Sequence, residues 1–160
     1  EFAQEPKINS EDLHLNTIVN GIYELFEKTG NEHLNFKKSI LDEDIIVHAD
    51  KSHLIRIINN LIKNAVQAIP SERIGRVEVL TRREGNKIII AVKDNGHGID
   101  DSKKEKIFMP NFTTKSSGSG LGLAICKKLI ESMDGEIYFS TIPDKGSTFF
   151  VHLPFKKVNN

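Results

Sequence analysis

The chain contains a single cysteine, carries no net charge and lacks a long hydrophobic run. One cysteine, Cys126, excludes an internal disulfide framework and is typical of a reducing compartment. The 22 basic and 22 acidic residues form no basic stripe interleaved with aromatic residues, so we expect neither nucleic acid nor an anionic membrane surface as a partner. No apolar run reaches the length of a bilayer span, and no signal peptide opens the chain. We therefore expect these residues to be cytoplasmic, even in a full-length protein with a membrane anchor.

The length of 160 residues suits one domain that buries its own core. Apolar residues recur at helical spacing over residues 13–26, over residues 51–69 and after a glycine-rich run, and Asp50 and Ser52 are positioned to cap the second helix. The expected strands are residues 33–40, 45–48, 77–81, 87–92, 136–141 and 147–153. This order predicts an α+β fold: a two-layer α/β sandwich in which one mixed, mostly antiparallel sheet carries about three helices on one face.

Three glycines stand at alternate positions just before the last helical pattern: Gly118, Gly120 and Gly122. Glycine permits tight conformations that turn several N–H groups toward one point, and the helix that follows adds its own unpaired N–H groups and positive dipole end. Phosphate suits such a cradle. The spacing matches neither the dinucleotide fingerprint nor the P-loop, so neither mechanism applies. Taken alone, such a run is more often a linker or a helix cap.

Asn60, Asn64 and Gln67 share one flank of the helix predicted over residues 51–69. Solvated side chains are the simpler interpretation, because asparagine in a helix has only a modest cost. The functional interpretation is metal binding. An amide oxygen is a hard, neutral ligand that suits Mg²⁺, which keeps most of its coordination for water and phosphate oxygens.

Asp94 ends a predicted strand and begins the sequence D-N-G-H-G, with Gly96 and Gly98 at alternate positions. An Asx-type turn is the simpler interpretation. In the functional interpretation the carboxylate accepts a hydrogen bond on the floor of a pocket, while the glycines let a flat ring approach the backbone. Such an acceptor suits the exocyclic amine of adenine and rejects guanine, whose carbonyl oxygen would face the carboxylate.

Four segments of the sequence together resemble the N, G1, F and G2 boxes of sensor histidine kinases. They are N-L-I-K-N-A at residues 60–65, D-N-G-H-G at 94–98, I-F-M-P-N-F-T-T-K at 107–115 and G-S-G-L-G-L at 118–123. Their order and spacing match as well, so the resemblance is specific. It covers residues 13–154, which are similar to the ATP-binding (Bergerat-type) domain shared by gyrase, Hsp-type chaperone, histidine kinase and mismatch-repair ATPases. N-A-V-Q-A and the opening F-A-Q-E-P look most like the nitrogen-sensor type of kinase.

The resemblance implies a role for each matching residue. Asn64 resembles the asparagine that binds Mg²⁺, Asn60 lines the phosphate side, and Asp94 resembles the adenine-binding aspartate. The remaining expected ATP-binding residues are Gly96, Gly98 and Ile99 in the turn, Phe108 and Phe112 as lid anchors, Thr113, Thr114, Lys115 and Ser116 on the lid's polar edge, Gly118, Gly120, Leu121, Gly122 and Leu123 at the phosphates, and Thr148, which is similar to a residue that holds the base near the aspartate.

Two positions depart from the family pattern. Many members carry Lys or Arg where this chain has Gln67, and a neutral amide cannot pair with phosphate as a cation does, so Lys115 is the candidate to supply that charge. Hydrolytic relatives place a glutamate, the base for water, where this chain has Asn60, and an amide does not take up a proton. Phosphoryl transfer to another nucleophile therefore fits better than hydrolysis.

The resemblance implies a histidine kinase that uses ATP and Mg²⁺ and transfers the γ-phosphoryl group to a histidine. None of the six histidines fits the acceptor pattern H-E-x-x-x-P, so we expect the acceptor on a separate upstream dimerisation domain, and no acid or base catalyst in this chain. The other expected partner is the receiver domain of a response regulator. We expect the full-length protein to be a homodimer and this fragment to be a monomer.

The opening F-A-Q-E-P resembles the end of the dimerisation helix, which sets the expected domain boundaries. They are a linker over residues 1–12, the catalytic domain over 13–155 with a lid at 100–119, and a tail at 156–160. Two alternatives stay open. One is a self-contained ATPase of the same superfamily; the other is a non-catalytic domain that senses ATP or docks another protein.

Overall fold

The computed structural model describes residues 7–29, 31–110 and 122–157. Eight strands, three α-helices and one 3₁₀ helix follow one another in these ranges. In chain order they are β1 (Ser10–His14), α1 (Leu15–Glu27), β2 (Leu34–Ser39), β3 (Ile45–Asp50), α2 (Lys51–Gln67), β4 (Gly75–Glu84), β5 (Lys87–Asp94), the 3₁₀ helix (Asp101–Lys106), α3 (Gly122–Glu131), β6 (Glu136–Ile142), β7 (Gly146–Pro154) and β8 (Lys156–Lys157).

The main sheet has five strands in the order β2-β4-β5-β7-β6. Every neighbouring pair is antiparallel except β2 and β4, which are parallel. On β5, Ile88, Ile90 and Val92 belong to the same buried cluster as the helices, whereas Ile89 does not, because successive side chains of a strand point to opposite faces. The predicted fold class, a mostly antiparallel sheet with three helices packed on it, is confirmed.

A second sheet, of strands β1, β3 and β8, corrects the prediction of a single sheet. Residues 10–12, assigned from sequence to a linker, pair antiparallel with β3, and residues 156–157, assigned to the tail, pair with its other edge. Leu13 is the one buried residue of β1, so its sequence shows almost no alternation. Because Leu13 belongs to β1, helix α1 begins at Leu15, two residues later than its apolar pattern predicts.

Helix α2 forms where predicted because its cap and its apolar stripe agree. The Asp50 side chain accepts a hydrogen bond from the His53 N–H, which satisfies one of the unpaired donors at the helix start and confirms the predicted cap. Leu54, Ile58 and Leu61 are at most 1% exposed. The helix thus lies at the centre of the core, against α1, α3 and the main sheet.

Among the residues described, no helix combines the length and the apolar character needed to cross a membrane.

Candidate nucleotide-binding site

Asp94 is the last residue of β5, and its carboxylate is buried, with 5% of the residue exposed. Its Oδ1 accepts the Gly96 N–H at 2.8 Å and the Ser147 N–H at 3.3 Å. A carboxylate that accepts hydrogen bonds from backbone N–H groups is held in a defined orientation. The entropy cost is low, because the donors that compensate its charge belong to the backbone and not to a mobile side chain. The structure therefore presents Asp94 as a fixed hydrogen-bond acceptor at the end of the central strand.

The turn after Asp94 is held between helix α2 and the β6–β7 turn. The His97 N–H donates to the Ala68 carbonyl oxygen at 2.9 Å, and the His97 carbonyl accepts the Asp144 N–H at 2.7 Å. A side chain at Gly96 would overlap the Ala68 carbonyl, so the backbone approaches the helix as closely as only glycine allows. Gly98 has φ of +72°, a left-handed conformation that disfavours other residues. Both glycines of the predicted turn are thus required by local geometry.

The strand register corrects the assignment of Thr148. Ser147 is paired with Asp94, whereas Thr148 is paired with Lys93 on the opposite face of the sheet. Ser147 is buried with the core-facing residues of β7, and Thr148 is half-buried on the other face. The sequence S-T-F-F-V-H-L already contains this information, because Phe149, Val151 and Leu153 alternate as core residues and Ser147 continues their face.

Thr141 is a further residue of this site, and its sequence context does not predict it. Its Oγ1 accepts the Ile99 N–H at 2.9 Å and lies 2.8 Å from the Ser147 Oγ. It also donates to the Gly146 carbonyl oxygen at 3.1 Å. Through Thr141, strand β6 holds the end of the turn at Ile99 next to the β7 residue that contacts Asp94. Nothing in the local sequence around Thr141 indicates this contact, since it depends on the pairing of β6 with β7.

The amide side chains of α2 point to two different surroundings. Asn60 is half-buried and its Nδ2 donates to the Cys126 Sγ at 3.6 Å, so it faces helix α3. Asn64, one turn later, is half-buried on the same flank. Gln67 is exposed and lines an open groove of about 260 Å³ with Lys63 of its own helix, Phe26 of α1, and residues of β2 and of the connection before it. The structure therefore keeps Asn60 and Asn64 together and directs Gln67 toward the groove.

Burial raises the pKa of the Cys126 thiol to about 11. The hydrogen bond from Asn60 and the positive charge of Arg56 oppose this shift without overcoming it. The thiol is therefore protonated at neutral pH and acts as a packing residue rather than a nucleophile, as its sequence context predicts.

Phe108 lies within the predicted lid, residues 100–119, just after the 3₁₀ helix. Its ring lies edge-on to Phe139 and Phe149, with centroids 5.8 and 6.4 Å away. The Lys127 Nζ of α3 lies 5.9 Å from the centroid of the same ring. These contacts attach the segment after the 3₁₀ helix to both the main sheet and α3, which is a suitable place for a lid to be anchored.

Part of the expected site lies outside the described residues. The residues concerned are Phe112, Thr113, Thr114, Lys115, Ser116, Gly118, Gly120 and Leu121. Of the glycine-rich segment, Gly122 and Leu123 are described: they begin helix α3, with Gly122 exposed and Leu123 packed against the core.

The amide side chains of α2 have the donor chemistry that a magnesium ion accepts. Within residues 7–29, 31–110 and 122–157, no three His, Cys, Asp or Glu side chains are grouped so as to hold a metal. Mg²⁺ does not need such a group, because one or two protein oxygens suffice when phosphate and water complete its octahedron. The half-buried amide of Asn64 carries an oxygen of that chemical type.

A family model described as "Histidine kinase-, DNA gyrase B-, and HSP90-like ATPase" matches residues 49–157, well over half of the chain. The chain belongs to this ATPase family. The matched range runs from the cap of α2 through β8, and includes the Asn60–Asn64 flank, the Asp94 turn and the β6–β7 hairpin. ATP is the nucleotide that this family membership supports.

Within this ATPase family, the similar proteins include histidine kinases of signal transduction. The signal transduction histidine-protein kinase AtoS of Escherichia coli K12 is 33% identical over 162 residues, which cover all of this chain and 26% of AtoS. Sporulation kinase A of Bacillus subtilis 168 is 32% identical over 147 residues, covering 91% of this chain and 24% of that kinase. The chain thus spans about a quarter of the length of these relatives.

A solved structure of the catalytic domain of histidine kinase ThkA has the same fold. It superposes with a TM-score of 0.81 at 32% identity, covering 91% of this chain and 95% of that one. The resemblance to the sensor kinases is therefore confirmed, and the chain is an ATP-binding catalytic domain of the sensor histidine kinase type.

Proposed function

We propose that this domain binds ATP with its adenine at Asp94 and serves a cytoplasmic histidine kinase that transfers the γ-phosphoryl group to a histidine of an upstream dimerisation domain. The observation that carries the proposal is the fixed, buried carboxylate of Asp94, whose Oδ1 is held by the N–H groups of Gly96 and Ser147. Such an acceptor recognises the exocyclic amine of adenine.

The residues proposed for the phosphate side lie on α2 and around the start of α3. Asn64 would hold Mg²⁺, and Asn60 would line the phosphate side, with Gly122, Leu123 and the preceding glycine-rich segment at the phosphates. When bound, Mg²⁺ supplies positive charge to the phosphate oxygens. The side chains of residues 113–116 are proposed to complete this side, with Lys115 providing the cation that Gln67 does not.

Transfer to a histidine is favoured over hydrolysis by the chemistry of the Asn60–Cys126 pair. The Asn60 amide does not accept a proton, and the Cys126 thiol, with its pKa raised to about 11, is not ionised at neutral pH. Neither side chain can therefore act as the base that a hydrolytic water needs. Positioning and charge neutralisation are the contributions expected of this domain.

The proposed partners are the dimerisation domain of the same protein and the receiver domain of a response regulator. The second is supported by the likeness to histidine kinase ThkA in the crystal structure of its complex with the response regulator protein TrrA, with a TM-score of 0.76 at 30% identity over 92% of this chain and 42% of the matched chain. We further propose that the full-length protein is a homodimer and that the isolated domain is a monomer.

Calorimetry on the isolated domain tests the nucleotide assignment. We expect ATP with Mg²⁺ to bind the wild-type domain and GTP to bind much more weakly. Asp94→Asn should weaken ATP binding by about ten- to a hundredfold, because a hydrogen bond to a charged partner contributes about 1.5–3 kcal/mol. Equal affinity of the wild-type domain for ATP and GTP would contradict the role of Asp94.

The Asn60→Glu variant tests the reason for transfer rather than hydrolysis. We expect the wild-type domain to release no phosphate from ATP at a sustained rate and the variant to gain measurable release, because the carboxylate provides the missing base. Sustained release by the wild-type domain would instead favour a self-contained ATPase.

A further inference from the structure

We propose that Arg73 is a positioning residue that holds the turn carrying Asp94 in its base-binding conformation. The inference rests on the proposed function, in which Asp94 recognises adenine. Arg73 lies in the connection between α2 and β4, outside the four sequence boxes. Its Nη1 donates to the Asn95 carbonyl oxygen at 2.6 Å and to the Gly96 carbonyl oxygen at 2.9 Å.

These two carbonyls belong to consecutive peptide groups, and each group is held at both ends. The peptide between Asn95 and Gly96 gives its C=O to Arg73 and its N–H to the Asp94 Oδ1. The next peptide gives its C=O to Arg73 and its N–H to the Ala68 carbonyl. Because a peptide group is planar, fixing its C=O also fixes the direction of its N–H. The guanidinium therefore sets the orientation of the N–H group that holds the Asp94 carboxylate.

The charge of Arg73 is directed to the turn rather than to an acidic partner. Arg73 is half-buried, and among the described residues it forms no ion pair within 4.0 Å. A charged donor makes stronger hydrogen bonds than a neutral one, and the five donors of guanidinium are held in a rigid plane. The two bonds from Arg73 are thus charge-assisted hydrogen bonds to these carbonyls.

The remaining contacts of the turn restrain other parts of it. The Asn95 side chain accepts the Arg76 N–H at 2.6 Å and donates to the Ile74 carbonyl at 3.0 Å, which ties Asn95 to the start of β4. Thr141 holds the far end at Ile99. None of these bonds engages the carbonyls of Asn95 and Gly96. Glycine at position 96 imposes little restraint of its own, so the two peptide groups are oriented by the bonds at their ends, and Arg73 supplies both bonds at the carbonyl end.

Calorimetry with ATP and GTP on two matched variants tests the inference. Arg73→Met keeps a long side chain and removes every donor, and Arg76→Met makes the same change at an exposed neighbouring arginine. We expect Arg73→Met to raise the Kd for ATP by about tenfold, the scale of one lost charged hydrogen bond, and to leave the weak GTP affinity unchanged. Arg76→Met should match the wild type, and Arg73→Lys should recover most of the ATP affinity.

The loss of ATP-over-GTP preference separates positioning from a general loss of stability, which would lower both affinities in proportion to the unfolded fraction. Equal ATP affinities for the wild type and Arg73→Met would overturn the inference. So would an equal loss for Arg76→Met. If the wild type binds ATP and Asp94→Asn weakens that binding while Arg73→Met has no effect, only the inference about Arg73 fails. If the wild type does not prefer ATP, the proposed function fails with it.

A second measurement keeps the test decisive if Arg73→Met does not fold. In the wild-type domain, the Gly96 amide is expected to exchange with solvent deuterium slowly, and in Arg73→Lys nearly as slowly. In Arg73→Gln, which is too short to reach both carbonyls, it should exchange at least about tenfold faster while core amides of β5 are unchanged. Unchanged Gly96 exchange in Arg73→Gln would contradict the proposal.

Discussion

At the scale of single residues, the strand register decides which side chains stand beside the proposed adenine site. Ser147 and Thr148 are neighbours in sequence and chemically alike, yet one shares a face with Asp94 and the other does not. The sequence G-S-T-F at residues 146–149 does not by itself show whether Ser147 or Thr148 shares a face with Asp94. The alternation of buried Phe149, Val151 and Leu153 supplies the missing information, because only Ser147 is in phase with it.

This difference predicts unequal effects of two similar substitutions. Ser147→Ala removes a hydroxyl that lies 2.8 Å from the Thr141 hydroxyl on the Asp94 side of the sheet. We expect it to weaken ATP binding by about three- to tenfold, the scale of one neutral hydrogen bond. Thr148→Ala should leave the Kd within about twofold, because its side chain lies on the opposite face. The two dissociation constants check this, and the reverse order would contradict the register.

At Gly146, the backbone conformation and the nearby Asp94 carbonyl decide how a substitution changes the stability of the fold. It has φ of +137°, and a side chain there would overlap the Asp94 carbonyl oxygen. Gly146→Ala is therefore expected to lower the free energy of unfolding by about 1–3 kcal/mol, measured by urea denaturation. The matched control is Gly21→Ala in helix α1, where an added methyl group meets nothing within 4 Å. That variant should gain about 0.5–1 kcal/mol from helix propensity. A loss of stability at Gly21 of the same size would contradict this account.

At the scale of elements, helix α2 and the β4–β5 hairpin are predictable because local signals agree with their tertiary surroundings. The helix has its cap, its apolar stripe and a stop before Pro70, and the hairpin has an alternating strand β4 and an apolar run in β5 on the two sides of a Gly-Asn turn. Strands β1 and β8 are not predictable in this way. Their pairing with β3 is a long-range contact, and β1 buries only Leu13.

The cap of α2 predicts a specific loss of stability in acid. A hydrogen bond from the Asn9 N–H, with further bonds from Ser52 and His53, lowers the pKa of Asp50 to about 2. In the unfolded chain this pKa is about 3.9. Because the folded value is the lower one, the ionised carboxylate stabilises the fold above about pH 4, and its contribution is lost as the pH falls from about 4 to 2.

Urea denaturation of the wild type and of Asp50→Asn at several pH values measures that contribution. Asparagine keeps the capping oxygen and removes the charge. We expect the variant to be less stable by about 1 kcal/mol at pH 6, since hydrogen bonds to a charged acceptor are the stronger ones. The difference should shrink toward zero near pH 2. If the difference in the free energy of unfolding stayed constant between pH 6 and pH 2, the carboxylate charge would not contribute to the stability of the helix cap.

At the scale of the whole molecule, the two sheets and three helices bring the ends of separate segments to one place. Groups from four segments meet around one five-residue turn: Asp94 from β5, Ser147 from β7, Thr141 from β6 and the Ala68 carbonyl after α2. The four boxes identify this family from sequence because their residues are local. The roles of Arg73 and Thr141 cannot be predicted from sequence, because they consist of contacts with backbone groups far away in the chain. Such contacts leave no local sequence pattern.

The measurement that tests the central claim most directly is phosphoryl transfer from γ-labelled ATP with Mg²⁺. It compares this domain alone with the full-length protein, each with and without Asp94→Asn. The account predicts acid-labile, base-stable label on the full-length protein, none on the isolated domain, and loss of label in the Asp94→Asn variant. Steady release of phosphate without labelled protein would contradict it and identify an ATPase, and ATP binding with neither label nor release would identify a non-catalytic nucleotide sensor.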